Sequence, residues 1–469
     1  MSVSTPLAYR IVRLLLRAAV GLYFRRIEQF HCERTPRTGP VLFTSNHPNS
    51  MTDAFVIGVS VPRKVNFVAT VQLFRLAPLR WLLVRCGVVP INRMKDDPRA
   101  MRTVLDTFEV CFRVLERGEA IGIFPEGITH DDPQLKTVKT GAARMALELE
   151  HRHDGKLGLQ IAPVGLTFSA KEIYRSDVLV NFGEPIPVAD FLAGYPGRKR
   201  ECIHALTAEI ERRIEALMLH LPKLERARIV AAVKRLYLER LLVGNRVIHE
   251  PVPPRAGELM LTQAISDAVD FICERHPERA AKFAQNLYRY ERWLKRLHLP
   301  DEALARFPDE GRLAWRSLGW TLVGVLLSPV AVYGWLHRWL PVLVVNRTTK
   351  HFERAPADKT HVSTAGILAG LISFSVCYGA YIVVFCAFFG LPATLWYALS
   401  LPVASLAAHY YLRGLLRFAQ SVHSLFVLVR APAAARHVLA LRNELIAEIE
   451  AARWQVPPEA LAHGQRGRP

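Results

Sequence analysis

Two adjacent apolar stretches near the C-terminus constrain the fold of this chain more than any other feature. Residues 362–390 and 391–412 are each long enough to cross the hydrocarbon core of a bilayer. An earlier stretch, residues 317–345, contains Pro329 and has basic residues on both sides. Because basic loops prefer the cytoplasm, a re-entrant hairpin bent at Pro329 would keep both flanks there, and a single span is the alternative. We predict membrane segments over residues 313–412, with a hairpin after Val362.

The charge of the chain favours a membrane surface as its partner. The formal net charge is +19, although 51% of the residues are hydrophobic. Such an excess attracts nucleic acid, phosphorylated small molecules or anionic lipids. The sequence has no zinc-finger spacing, no RNP-like aromatic motif and no basic low-complexity tail. We therefore predict anionic membrane lipids as partners and no nucleic acid.

Residues 1–30 predict a helix that lies in the membrane interface. We expect no signal peptide here, because arginines interrupt the apolar residues and no small-residue cleavage site follows. Arginines placed in this way can reach headgroup phosphates while the apolar side chains enter the bilayer. A helix that packs on a protein core is the alternative.

Short apolar runs alternate with helical patterns over residues 31–215. The runs lie at 41–46, 65–70, 87–92, 120–124, 159–168 and 177–183, and the clearest helical patterns at 98–117 and 139–151. This alternation predicts an α/β domain with a central mostly parallel or mixed sheet flanked by helices. Residues 216–312 are charged and amphipathic and predict a helical region. Residues 413–469 predict a helical tail with a disordered end.

The run NHPNSMTD places Asn46, His47 and Asp53 where a strand gives way to a helix. A histidine held in one tautomer by a carboxylate can remove a hydroxyl proton near pH 7, which contributes on the order of 10² to 10⁴ in rate. On its own, this spacing fits a structural histidine better. The chain has no GxSxG elbow, Walker loop or dinucleotide glycine motif, so a serine acyl-enzyme, nucleotide hydrolysis and hydride transfer lack support.

Four ordered blocks resemble the glycerolipid acyltransferase family, which includes the PlsC-like lysophosphatidate and glycerol-3-phosphate acyltransferases. They read NHPNSMTD, GVVPINR, IFPEGITH and IAPVGLTF, and the resemblance covers about residues 1–215. It implies an integral membrane enzyme with its active site at the cytoplasmic face. The enzyme would move a fatty acyl group from acyl-CoA or acyl carrier protein to glycerol 3-phosphate, dihydroxyacetone phosphate or 1-acylglycerol 3-phosphate. An acyltransferase for another lysolipid and a catalytically dead lipid-binding or scaffold protein remain alternatives.

The resemblance also implies roles for individual residues. His47 would be the general base and Asp53 its partner. Arg93 would hold the acceptor phosphate, a group that a guanidinium binds bidentately. Glu126 and Gly127 would help to seat the acceptor, and Pro163 would shape the acyl-donor side. The other substrate-binding candidates are Asn46 and Lys139, with Lys136 and Arg144 as weaker ones.

Two departures from the family pattern stand out. Five residues, rather than the usual four, separate His47 from Asp53. This spacer resembles a branch that acts on glycerol 3-phosphate or dihydroxyacetone phosphate and carries C-terminal membrane segments. In the third block Ile128 and Thr129 replace the Thr and Arg of many relatives, so a phosphate contact from that Arg is absent.

We predict neither a metal nor a redox cofactor, with the acyl thioester as the only co-substrate. The seven cysteines are scattered and form no CxxC pair, which argues against a zinc site and a disulfide framework. His151, His153 and Asp154 lie together in a polar loop without further ligands nearby in sequence.

Overall fold

The computed structural model describes residues 7–75, 77–91, 101–243, 252–305, 310–354 and 360–457. The strands are β1 (Arg26–Phe30), β2 (Val41–Ser45), β3 (Val65–Thr70), β4 (Val89–Ile91), β5 (Ala120–Ile123), β6 (Gln160–Phe168), β7 (Asp177–Phe182) and β8 (Ile186–Pro187). The first helices are α1 (Leu7–Tyr23), α2 (Met51–Ser60), α3 (Ala77–Arg85), α4 (Met101–Glu116), α5 (Gly141–Arg152) and α6 (Lys199–Glu215). They are followed by α7 (Ala227–Val243), α8 (Pro254–Arg275), α9 (Pro277–Leu297), α10 (Asp301–Ala305), α11 (Glu310–Glu353), α12 (Val362–Arg430) and α13 (Pro432–Arg453).

The strands form one mixed sheet in the order β1-β7-β6-β2-β5-β3-β4, with β8 against β6. Neighbours from β6 to β4 pair in parallel, whereas β7 pairs antiparallel to β6. The predicted fold class, a mostly parallel or mixed sheet flanked by helices, is confirmed.

Strand β1 corrects the predicted domain boundary. We expected residues 1–30 to form one interfacial helix, but α1 ends at Tyr23 and residues 26–30 pair in parallel with β7. The sheet therefore begins before residue 31. Its first strand was hard to see because RIEQF has only two apolar side chains, Ile27 and Phe30.

Helices cover both faces of the sheet. Side chains alternate between the faces along β2, so Leu42 packs with α4, α5 and α6 on one side. Val41 and Phe43 pack on the other side with residues of α1 and α2. That second core also contains Ile367 of α12, so the C-terminal part of the chain completes the core of the sheet domain.

A separate core joins α7, α9 and α13 in the helical region. Helix α8 links this region to the sheet. Glu28 of β1 accepts hydrogen bonds from the backbone N–H groups of Arg255 and Ala256 at the start of α8. The Arg255 side chain also pairs with the buried Asp177 of β7.

Helix α11 runs without interruption from Glu310 to Glu353, through Pro329 and Pro341. A re-entrant hairpin bent at Pro329 is therefore not formed, and a single span over residues 317–345 stays a prediction. Proline removes one backbone hydrogen bond, a loss that a long helix packed against neighbours can absorb by bending.

Helix α12 is broken at Gly390, whose φ of 73° and ψ of 172° are not helical. The ring centroids of Phe385 and Tyr397 lie 4.2 Å apart in a stacked arrangement. Twelve residues of continuous helix would separate them by about 18 Å, so the chain folds back at Gly390 into two antiparallel arms.

Among the described residues, one helical stretch, Val362–Ser424, is long and apolar enough to cross a membrane by length and composition. Only 6% of its most apolar 18-residue window is buried. A core helix of a soluble domain would be mostly buried, whereas here Phe388 and Trp396 are 79% and 77% exposed.

Candidate active site

Three neighbouring strands position the residues of the site. β6, β2 and β5 pair in parallel, so their carboxyl ends meet at one edge of the sheet. His47 follows β2, Glu126 follows β5 and Lys171 follows β6. The topology therefore gathers side chains that are far apart in sequence.

His47 and Asp53 form a hydrogen-bonded pair. Asp53 lies in the first turn of α2, is fully buried and contacts His47 Nδ1 through Oδ2 at 2.9 Å. The same oxygen accepts the backbone N–H of Asn49 at 2.7 Å. Burial raises the pKa of Asp53, and the hydrogen bonds from His47 and Asn49 oppose that rise. With Nδ1 facing the carboxylate, Nε2 is the nitrogen that can accept a proton.

Phe124 fixes the plane of the His47 ring. The two rings stack with centroids 4.0 Å apart and an angle of 9° between their planes. The imidazole is thus held by a carboxylate at one edge and an aromatic face on one side, and its side chain stays 14% exposed. This arrangement leaves the ring reachable from the adjoining cleft.

Glu126 is buried and bonds to protein groups. Oε1 accepts the backbone N–H of His47 at 2.8 Å, and Oε2 accepts that of Lys136 at 2.8 Å. Oε2 also lies 2.5 Å from His130 Nε2. The carboxylate therefore ties three segments around the site together. Seating the acceptor, the role predicted for Glu126, has no geometric support here.

Asn46 also bonds within the protein. Its Oδ1 accepts the backbone N–H of Leu166 at 2.8 Å, and its Nδ2 donates to the Leu166 carbonyl at 3.0 Å. The side-chain amide thereby extends the pairing of β2 with β6 by one position beyond Ser45. This locks the residue before His47 in place.

Gly127 and Lys139 lie close together at the turn after β5. Gly127 has a φ of +65°, which favours glycine, and a Cβ there would come within 2.6 Å of Lys139 Nζ. The Lys139 backbone N–H bonds to the Pro125 carbonyl at 3.0 Å. Pro163 lies inside β6 opposite Thr44, and its carbonyl accepts the Gly183 N–H at 2.9 Å.

A cleft of about 250 Å³ opens beside His47. Its walls include His47, Pro48, His130, Lys171 and Met218. Lys171 is the one lysine or arginine among the described residues that line it. The Lys171 side chain is 8% exposed, and its ammonium group lies 2.6 Å from Asp131 Oδ1 and donates to the Pro48 carbonyl at 2.6 Å.

No role was predicted for Lys171 or His130 from the sequence. Lys171 lies three positions after the fourth block, and a basic residue shortly after a strand of the site edge was the available signal. His130 is the last residue of the third block, IFPEGITH.

The longer spacer contacts the start of α12. Asn49 Nδ2 donates to Ser363 Oγ at 3.2 Å, and the Thr52 backbone N–H donates to Thr364 Oγ1 at 3.2 Å. Within the spacer, Ser50 has a φ of +52°, an unusual value for a residue other than glycine. No local sequence signal marks Ser363 or Thr364 as neighbours of the site.

Among the described residues, Lys136, Lys139 and Arg144 do not line the cleft. Arg93 lies outside the described residues. The Lys136 ammonium pairs with Asp132 at 2.6 Å, and Arg144 is exposed on α5. In the part of the chain that the structure describes, no three His, Cys, Asp or Glu side chains are grouped to hold a metal. His153 instead pairs with Glu116, and His151 packs against Tyr195.

Comparison with known proteins defines the class of this domain. Residues 26–167 match the acyltransferase family, so the mixed sheet and its His47 edge are an acyltransferase domain. Through this domain the chain is similar to the glycerolipid acyltransferases, the family that the four sequence blocks resemble.

Three curated relatives illustrate the match. An uncharacterised acyltransferase of Schizosaccharomyces pombe is 26% identical over 47% of this chain and 33% of its own length. Glycerol-3-phosphate O-acyltransferase 1 of Saccharomyces cerevisiae is 26% identical over 46% of this chain and 28% of its own length. The chloroplastic 1-acyl-sn-glycerol-3-phosphate acyltransferase LPAT1 of Arabidopsis thaliana is 28% identical over 33% of this chain and 40% of its own length.

The chain thus spans well under half the length of these relatives. Among solved structures, PlsC from Thermotoga maritima aligns with a TM-score of 0.33 and 18% identity, over 45% of this chain and 79% of that one. A superposition at this level adds nothing to the sequence matches.

Proposed function

We propose that this chain is a membrane-bound O-acyltransferase that transfers a fatty acyl group from acyl-CoA or acyl carrier protein to the hydroxyl of a phosphorylated glycerol. Glycerol 3-phosphate, dihydroxyacetone phosphate and 1-acylglycerol 3-phosphate are the candidate acceptors. The observation that carries the proposal is the His47–Asp53 pair, 2.9 Å apart beside an open cleft in a domain of the acyltransferase family. The names of the yeast and plant relatives support the acceptor class.

In the proposed reaction, His47 Nε2 takes the proton of the acceptor hydroxyl as its oxygen attacks the thioester carbonyl. Asp53 holds Nδ1–H and stabilises the imidazolium that forms. The tetrahedral intermediate then collapses, the C–S bond breaks, and the imidazolium returns the proton to the leaving thiolate. Direct attack by the acceptor needs no acyl-enzyme and no further cofactor.

Two basic residues are proposed to hold the acceptor phosphate. Lys171 lies in the wall of the cleft that also contains His47, where an incoming phosphate can replace Asp131 as its partner. Arg93 keeps the role that the family resemblance implies. The bound phosphate would then hold the acceptor so that its hydroxyl faces His47. Binding of the phosphate thus orients the group that reacts.

The location is proposed from the same observations. The apolar hairpin after Val362 supports an integral membrane protein, and the active site is placed at the cytoplasmic face because the family resemblance implies it. Exposed leucines on α1, among them Leu7 and Leu14, support contact of that helix with the membrane interface.

Replacement of His47 by Ala tests the reaction. Membranes that contain equal amounts of wild type and H47A are assayed with acyl-CoA or acyl carrier protein thioesters. The acceptor panel holds the three phosphorylated glycerols and a lysolipid without a phosphate monoester. We expect at least a 100-fold loss of acylation in H47A, in line with the contribution of a general base.

The acceptor panel separates the alternatives. Equal rates for wild type and H47A would leave a lipid-binding or scaffold role in place of catalysis. Preference for the lysolipid without a phosphate monoester would contradict the proposed acceptor class.

Within that class, Lys171→Met should raise the KM for a phosphorylated acceptor about tenfold or more, since it removes a charge-assisted hydrogen bond.

A further inference from the structure

The start of α12 lies against the loop that carries the catalytic pair. Ser363 and Thr364 bond to Asn49 and Thr52, more than 300 positions earlier in the chain. All four residues are buried, with Asn49, Thr52 and Ser363 at 0% exposure. If one of these buried groups lost its hydrogen-bond partner, no water molecule could take the partner's place, so the contacts are strongly favoured.

Ser363 closes a directed chain of hydrogen bonds. Its hydroxyl donates to the Lys171 carbonyl and accepts the Asn49 side-chain amide. The Asn49 backbone N–H donates to Asp53 Oδ2, the oxygen that also faces His47 Nδ1. Donors and acceptors alternate correctly along the chain, since a serine hydroxyl has one proton to give and lone pairs to receive.

Thr364 makes the second contact between α12 and the spacer. Its Oγ1 receives the Thr52 backbone N–H and lies 2.9 Å from Thr52 Oγ1. Thr52 directly precedes Asp53, so this contact fixes the first turn of α2 that carries the carboxylate. Asn49 and Thr52 both belong to the five-residue spacer, which therefore has an external support at two positions.

We propose that Ser363 and Thr364 are positioning residues for the His47–Asp53 pair, so that the apolar hairpin contributes to the geometry of the active site. The inference rests on the proposed acyl transfer by His47. A spacer that contains the unusual φ of Ser50 and lacks these two contacts would relax, and small displacements of a catalytic group lower the rate of the chemical step.

Two substitutions at Thr364 separate positioning from packing. Thr364→Val keeps the shape and removes the hydroxyl, whereas Thr364→Ser keeps the hydroxyl and removes the methyl group. In the full-length protein in membranes, we expect T364V to lower kcat about tenfold with the KM values within about twofold. We expect T364S to retain most of the wild-type kcat. A role in packing alone predicts the reverse order, and that order would overturn the proposal.

Ser363→Ala provides an independent test of the proposal. Ser373→Ala is its matched control, because Ser373 is a buried serine of the same helix that bonds to the Pro341 carbonyl of α11 at 3.3 Å. We expect S363A to lose kcat about tenfold and S373A to keep it. If T364V does not accumulate, S363A decides alone, and a wild-type kcat for S363A overturns the inference.

The H47A protein separates this failure from failure of the proposed function. If wild type and H47A acylate equally, acyl transfer by His47 is wrong and the positioning role falls with it. If wild type is active and H47A is not, while S363A and T364V match wild type, only the positioning role is wrong.

Discussion

Glu126 shows how one buried carboxylate can join several segments of a site through hydrogen bonds within the protein. It accepts the backbone N–H groups of His47 and Lys136 and bonds to His130, so all three segments depend on one side chain. Hydrogen bonds to a charged acceptor are worth more than neutral ones. Loss of this carboxylate would therefore remove the hydrogen bond that holds the backbone of His47.

Replacement of Glu126 by Gln should lower kcat more than it raises the acceptor KM. The amide NH₂ would face a backbone N–H that has lost its acceptor, at a cost of about 1–3 kcal/mol of folding stability. Kinetics and thermal melting of the purified protein measure the two effects. Glu116→Gln is the control, because Glu116 pairs with His153 at the surface. A raised acceptor KM with unchanged kcat would instead support the acceptor-seating role.

Some residues of the site could be predicted from sequence and others could not. His47 and Asp53 lie within one eight-residue block, so short-range pattern was enough to pair them. Asn49 and Ser363 are 314 positions apart, and their contact exists only because α12 packs on the sheet domain. The substrate-binding roles of Asn46 and Glu126 stay predictions, and the backbone groups that these two side chains bond could not be read from the sequence.

At the scale of secondary structure, the turn at Gly390 decides how the apolar arms are arranged. Its φ of 73° with a ψ of 172° is a conformation that is essentially confined to glycine. The two predicted apolar stretches meet at this residue. Hydropathy located the two stretches, but the helix continues beyond residue 412 to Arg430. Strand β1 could not be predicted because five mostly polar residues carry little periodic signal.

Gly390→Ala should destabilise the hairpin. No atom lies within 4 Å of a Cβ at this position, so the cost comes from backbone strain alone, about 1–3 kcal/mol. Gly379→Ala is a matched control within a helical arm, where nothing lies within 4 Å either and alanine is the better helix former. Thermal melting in detergent should place G390A below wild type and G379A at or above it. A G390A protein as stable as wild type would rule out the strained turn.

Across the whole molecule, Asp177 joins the sheet domain to the helical region. It bonds to Arg25 near the end of α1 and to Arg255 of α8, and it is 1% exposed. The Arg25 guanidinium, helped by Arg255 and opposed by burial, lowers the pKa of Asp177 to about 2. The folded protein thus favours the ionised form.

The stabilisation from Asp177 should be present above its ordinary pKa of 3.8 and disappear as the pH falls toward 2. We expect Asp177→Asn to cost about 2 kcal/mol near neutral pH and to flatten the acid limb of stability between about pH 4 and 2. Thermal melting across that range measures both effects. Asp190→Asn, at an exposed site, should leave the profile unchanged. An acid limb that D177N shares with wild type would exclude this carboxylate as its source.

The first arm of α12 is about as long as a bilayer is thick. Gly390 lies 26 positions after Thr364, and a helix of that length extends about 39 Å, close to the thickness of a bilayer with its headgroups. For a chain inserted as proposed, the turn would reach the opposite leaflet while His47 stays at the depth of the near phosphates. A long-chain acyl donor could then present its carbonyl to the imidazole without withdrawing its tail from the lipid, and products would be released directly into the leaflet in which they are used.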